Sequence, residues 1–247
     1  MQIQIDTPAR TISEIVVDDY RTAAIFEKNG LDFCCRGNRS ITEACQEKGV
    51  NQAHLLRELS ALQSETSQSD THLQYWGLDF LADYIVQNHH GYIRATAPAM
   101  KAHVIKIADV HGAHHPELLR VRDIFLALSD EMAEHMQKEE QMLFPYIKQL
   151  VRSSAANVDA PSAPFGSVEN PINMMRQEHE AAGAALEEIR RLTENYVPPE
   201  DACTTYAVTL EELAGYERDL HRHVHLENNI LFPRAEKLED TLRSVLA

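Results

Sequence analysis

The residues in this sequence with the most chemistry are histidines and glutamates in recurring pairs. His135 and Glu139 stand in HMQKEEQMLFP, and His223 and Glu227 stand in HVHLENNILFP; both segments fit His-x-x-x-Glu-x-x-x-Leu-Phe-Pro without a gap. A second echo lies upstream, where Gln87-Asn88-His89 matches Gln177-Glu178-His179, with 46 residues from His89 to His135 and 44 from His179 to His223. An imidazole and a carboxylate four positions apart on a helix share a face one turn apart, so both reach one point. The set His89, His135, Glu139, His179, His223 and Glu227 exceeds what one tetrahedral ion needs. It suits two metal ions bridged by carboxylates.

Four long helical patterns must carry these residues, over about Leu73–Val110, Pro116–Arg152, Val168–Asn195 and Pro199–Leu246. The Pro161/Pro164/Gly166 stretch and the Pro198-Pro199 dipeptide separate the last three, and Pro98 should kink the first. Short connections between long helices predict an up-down-up-down four-helix bundle. The apolar period of each helix defines its core stripe. It runs Leu78, Leu81, Ile85, His89, Tyr92 in the first helix and Val121, Phe125, Leu128, His135, Glu139, Met142, Tyr146 in the second. The third gives Ile172, Met175, His179, Ala182, Leu186, Ile189, and the fourth Leu213, Tyr216, Leu220, His223, Glu227, Ile230. Each proposed ligand thus falls where the pattern demands burial. Two unpartnered carboxylates in one core would cost several kcal/mol each, against a total stability of about 5–15 kcal/mol, so a compensating cation is expected.

Neighbouring candidates fail on register. His90 and Glu140 are off the stripe by one residue, and His221 and His225 fall beside it without equivalents in the second helix. His111, His114 and His115 lie in a Gly/Pro-bounded loop, where a solvated cluster is expected. Glu131, one turn before His135, and Glu178, beside His179, read either as supporting acids that relay protons or guide the metal, or as exposed helix carboxylates.

Residues 1–66 form a separate small helical domain, with helices over about Ile12–Lys28, Ile41–Lys48 and Gln52–Leu62. The polar segment Ser64–Thr71 links it to a bundle over 67–247. Its loop Asp32-Phe33-Cys34-Cys35-Arg36-Gly37-Asn38 carries adjacent cysteines, a poor spacing for a structural metal clamp. Arg36 would favour thiolate there, which reads as redox or partner-binding thiols; small apolar packing at a turn is the alternative. The net charge of −15 argues against nucleic acid and anionic membrane as partners, and no apolar run approaches a membrane span. With no export signal and no disulfide framework, a cytoplasmic setting is expected.

With these residues in view, the chain resembles the iron-sulfur cluster repair di-iron proteins, the Repair of Iron Centres family. DFCCRG, HMQKEEQMLFP and ENNILFPRA carry the resemblance, which spans nearly the whole chain. It implies an all-α fold, a hemerythrin-like bundle behind a small helical domain with a Cys-Cys pair. It implies two non-haem irons on the six residues above, bridged by Glu139 and Glu227, with acids near the iron at Glu131 and Glu178. The function implied is repair of clusters damaged by oxidative or nitrosative stress, by donating iron rather than by turnover, to client proteins with damaged clusters, and in a homodimer. A nitric oxide reductase or an O2/NO sensor would use the same centre. Ferritin-like di-iron oxidases are disfavoured, because no histidine here follows a glutamate by three residues.

Overall fold

Side-chain caps decide where the first helices begin. Thr11 and Glu14 form a reciprocal capping box at the start of α1 (Ile12–Asp18), and Ser40 and Glu43 form another at α3 (Ile41–Lys48). The expected single helix over Ile12–Lys28 is broken. Asp19 takes an extended conformation and its carboxylate accepts from the Arg21 backbone and guanidinium, and α2 (Thr22–Lys28) then starts anew. A local carboxylate-to-backbone turn competes successfully with the helix. α4 (Gln52–Gln63) follows Gly49, whose φ of 68° closes α3. Ile12, Ile15, Phe26, Leu31, Phe33, Ile41, Leu55 and Leu59 form the core of this part.

The computed structural model describes residues 10–63 and 73–244; the expected linker Ser64–Thr71 lies outside the described residues. The chain divides into two compact units, residues 1–77 with 224–234, and residues 78–223 with 235–247. Four rods follow Gly77. The first comprises α5 (Leu78–Ile85), a π turn (Val86–His90) and α6 (Gly91–His111). The second comprises α7 (Glu117–Lys138), a π turn (Glu139–Leu143) and α8 (Phe144–Ala156). The third is α9 (Glu169–Leu192). The fourth comprises α10 (Thr204–Leu226), a π turn (Glu227–Leu231) and α11 (Phe232–Ser244). α6 packs on α7 and α5 on α8, so the first two rods run antiparallel. The fold is all-α, a helical bundle.

The π turns determine which residues face inward. The Phe144 and Phe232 N–H groups reach back five residues to the carbonyls of Glu139 and Glu227. The next residue in each case is proline, which has no N–H for the α-helical bond and crowds the carbonyl four residues earlier; a widened turn relieves both problems. The first rod widens without a nearby proline, with the Gly91 N–H reaching the Val86 carbonyl. One extra residue in a turn rotates everything downstream by about 100° relative to a continuous α-helix. Ile93 is therefore buried in place of the expected Tyr92, and Leu143 in place of Met142, which is 46 % exposed. The third rod has no π turn, and its expected stripe is buried throughout.

Candidate metal centre

Two groups of buried side chains meet at mid-bundle. His90, Glu139, His223 and Glu227 form one, and His135, Glu139, His179 and Glu227 the other, with ligand atoms in each group within 4.8 Å of one another. His90 Nε2 lies 3.2 Å from His223 Nε2, and His179 Nε2 lies 3.0 Å from His135 Nε2. Glu139 turns Oε2 toward His90 Nε2 at 3.3 Å and Oε1 toward His135 Nε2 at 3.4 Å. One carboxylate therefore spans both imidazole pairs. Each pair takes one histidine from a His-x-x-x-Glu helix and one from a helix of the other hairpin, as the twofold repeat requires.

Carboxylates fix the ring orientation at two of these histidines. His90 Nδ1 donates to Glu140 Oε1 at 2.6 Å, and Arg94 holds the same oxygen at 2.5 Å. His135 Nδ1 donates to Glu178 Oε2 at 2.8 Å, and Lys138 grips the other oxygen. A proton held at Nδ1 leaves the lone pair on Nε2, the arrangement of a metal-ligating histidine. Burial pushes the Glu140 and Glu178 carboxyls up, but hydrogen bonds from histidine and from Arg94 or Lys138 outweigh it and hold both below the usual carboxylate range.

The donor set fits a pair of metal ions. Two nitrogens about 2.1 Å from a common ion, at right angles to each other, stand roughly 3.0 Å apart. Both Nε2 pairs are at that spacing. Glu139 and Glu227 are fully buried, and two carboxylates in an apolar core require positive charge beside them.

Of the six residues expected as ligands the structure brings together five, His135, Glu139, His179, His223 and Glu227, and sets His89 outside both groups. His90 joins the cluster in place of His89, because the π turn carries the next residue onto the inner face. His89 is buried beside it, with Nδ1 2.9 Å from Asp219 Oδ1. Glu140 likewise acts where periodicity excluded it. The sequence signal for both was slight: a His-His-Gly run with no proline, and an acid following Glu139. Glu178 supports His135 as expected, whereas Glu131 is exposed and stays outside the cluster. His225 is buried against Tyr20 and Phe33, away from both groups. In the distal loop, His115 pairs with Asp201 and Glu117, and His111 lies 3.2 Å from Cys203 Sγ.

In the first unit, Asp32 Oδ1 accepts from the Cys34 and Cys35 N–H groups at 3.0 and 2.9 Å, and the two sulfurs stand 3.7 Å apart. Asp32, Cys34 and Cys35 form a third group able to hold a cation. Asn228 and Asn229 donate to the Cys34 and Phe33 carbonyls, so the residues that follow Glu227 hold the cysteine loop. The expected thiolate is corrected at Cys34. Its hydrogen bond with Cys35, burial and the Asp32 charge push that thiol well up, while Arg36 points to Glu47, 3.8 Å away.

Fold and site together define a four-helix cation-binding protein of the hemerythrin type. Residues 81–235 match the family described as the Hemerythrin HHE cation binding domain, and residues 8–63 match ScdA_N, a domain of unknown function. The chain is 36 % identical to the iron-sulfur cluster repair protein ScdA of Staphylococcus haemolyticus, over 90 % of this chain and 95 % of that protein. It is 32 % identical to the iron-sulfur cluster repair protein YtfE of Yersinia pestis, over 94 % and 98 %. The chain belongs to this family of ScdA- and YtfE-type proteins. No described helix is long and apolar enough to cross a membrane.

Proposed function

We propose that this protein holds two iron ions in the bundle and restores damaged iron-sulfur clusters in client proteins by supplying that iron, in the cytoplasm. His90 and His223 would hold one ion, His135 and His179 the other, with Glu139 and Glu227 bridging them. The observation that carries the reading is Glu139, whose two oxygens face the two imidazole pairs at 3.3 and 3.4 Å. The names of the relatives supply the client class.

The donor set favours release over permanent retention. Each ion would have two imidazoles and two shared carboxylates, four protein donors, which leaves room for exchangeable ligands. Iron held this way supplies ferrous ions and redox chemistry. The protein's own residues bind, fix the imidazole orientation through Glu140 and Glu178, and keep bulk water from the carboxylates.

The test is metal analysis with Mössbauer spectroscopy of anaerobically purified protein, followed by incubation with an apo-cluster acceptor. The expected result is about two irons per chain and cluster formation at the expense of bound iron. Protein that consumes nitric oxide over many turnovers while keeping its iron would overturn the donor reading in favour of a reductase.

A further inference from the structure

The repeat has an asymmetric flank beside the His90/His223 pair. With His90 equivalent to His179 and His223 equivalent to His135, His89 and Asp219 occupy the positions that Glu178 and Glu131 occupy on the other half. Glu178 holds a ligand ring, and Glu131 is exposed. His89 and Asp219 instead hold each other, Nδ1 to Oδ1 at 2.9 Å.

His89 has the features of a ligand with no assigned ion. Its residue is 4 % exposed, and its Nε2 has no hydrogen-bond partner. A carboxylate on Nδ1 places the ring proton there and the lone pair on Nε2, as at His90 and His135. Its ring lies parallel to that of His223, with centroids 5.7 Å apart and planes 9° apart. Asp219 Oδ2 is also buried without a hydrogen-bond partner, and Asp219 precedes His223 by one helical turn. A buried acceptor left without a partner in a native core calls for an explanation. Exposure also rises outward along this line, from 0 % at His223 to 22 % at the Asp219 side chain.

We infer that His89 and Asp219 form a relay position for a divalent cation, which takes the ion from the His90/His223 pair on its way out of the bundle. This rests on the iron-supply reading and extends it to a route. The ion would exchange one imidazole for another, then gain a carboxylate oxygen, so its coordination never falls sharply; no bond other than metal–ligand bonds changes.

The experiment compares ferrous iron release in wild type, His89→Phe and Asp219→Asn. Phenylalanine keeps the ring packed on His223 and Tyr84 but removes both nitrogens; asparagine keeps an acceptor for His89 Nδ1. Each protein is loaded with ferrous iron, its content is measured, and release to a ferrous chelator is followed by stopped flow. The expected result is wild-type iron content in both variants, with the faster-released ion slowed at least tenfold in His89→Phe and by a smaller factor in Asp219→Asn. Unchanged release rates would overturn the inference. So would loss of resting iron equal to that of His90→Ala, which would make His89 part of the resting centre. Should His89→Phe fail to fold, Asp219→Asn reads the same rate. Failure of the wild type to feed an apo-cluster acceptor sinks the iron-supply reading and leaves the chelator comparison intact. Equal feeding by wild type and His89→Phe sinks the relay alone.

Discussion

Deleting Asn88 tests the register of the first rod. In a continuous α-helix, loss of one residue rotates everything beyond it by about 100°, which ruins the fit of the downstream face. Downstream here lie Ile93, Met100, Val104, Ile107 and Ala108, all buried. Turning the four larger side chains out of the core at about 1.5–3 kcal/mol each would remove about 6–12 kcal/mol. That approaches the whole stability of a domain, about 5–15 kcal/mol. If Val86–His90 is a π turn, the outcome reverses. Removing the exposed Asn88 makes Ile85 and His90 positions i and i+4 of an α-helix, with His90 and the face beyond it still turned inward. The deletion should therefore fold, lose only the small contribution of the Asn88-to-Tyr84 hydrogen bond, and keep its metal. Deletion of the exposed Ala95, inside the α-helical part of the same rod, is the control and should unfold the protein. Thermal melting by circular dichroism, with metal content on the folded fraction, reads both. If the two deletions fall together, the register argument for His90 is wrong.

Four further outcomes are expected. His90→Ala should reduce bound metal about as much as His135→Ala or His223→Ala, while His221→Ala leaves it unchanged; elemental analysis of the purified variants decides. Glu140→Gln and Glu178→Gln should each weaken metal affinity by roughly 10–100-fold through loss of ring orientation, whereas Glu131→Leu should have no effect in a chelator competition titration. Asn229→Ala removes the amide that bonds the Phe33 carbonyl and His225 Nδ1, and should cost about 1–3 kcal/mol in denaturant unfolding. In alkylation followed by mass spectrometry, exposed Cys203 and half-buried Cys35 should react well before Cys34, whose thiol is buried and held protonated; early labelling of Cys34 would contradict that account.

Much of the site was legible because its signals are local. The His-x-x-x-Glu pairs need only the α-helical turn to bring ring and carboxylate to one face, and the Leu-Phe-Pro that follows each lies beyond the ligands. The third rod, regular throughout, was read residue for residue. The break at Asp19 is invisible to apolar periodicity, because one carboxylate bonding to the next turn's backbone leaves no mark on it.

Spacing along single helices is enough to read the helical bundle, and to read that His135, Glu139, His179, His223 and Glu227 share its inner faces. Only the folded rod shows that His90, rather than His89, faces the clustered side chains. The choice turns on one carbonyl bonding five residues ahead instead of four, a small local cost that packing of the whole rod repays. The fold likewise sets Glu140, and not Glu131, against a clustered imidazole and pushes the Cys34 thiol up. Glu140 meets His90 from fifty residues away, a pairing that local order does not record, whereas the Cys34 thiol is raised by its neighbours Cys35 and Asp32 together with burial.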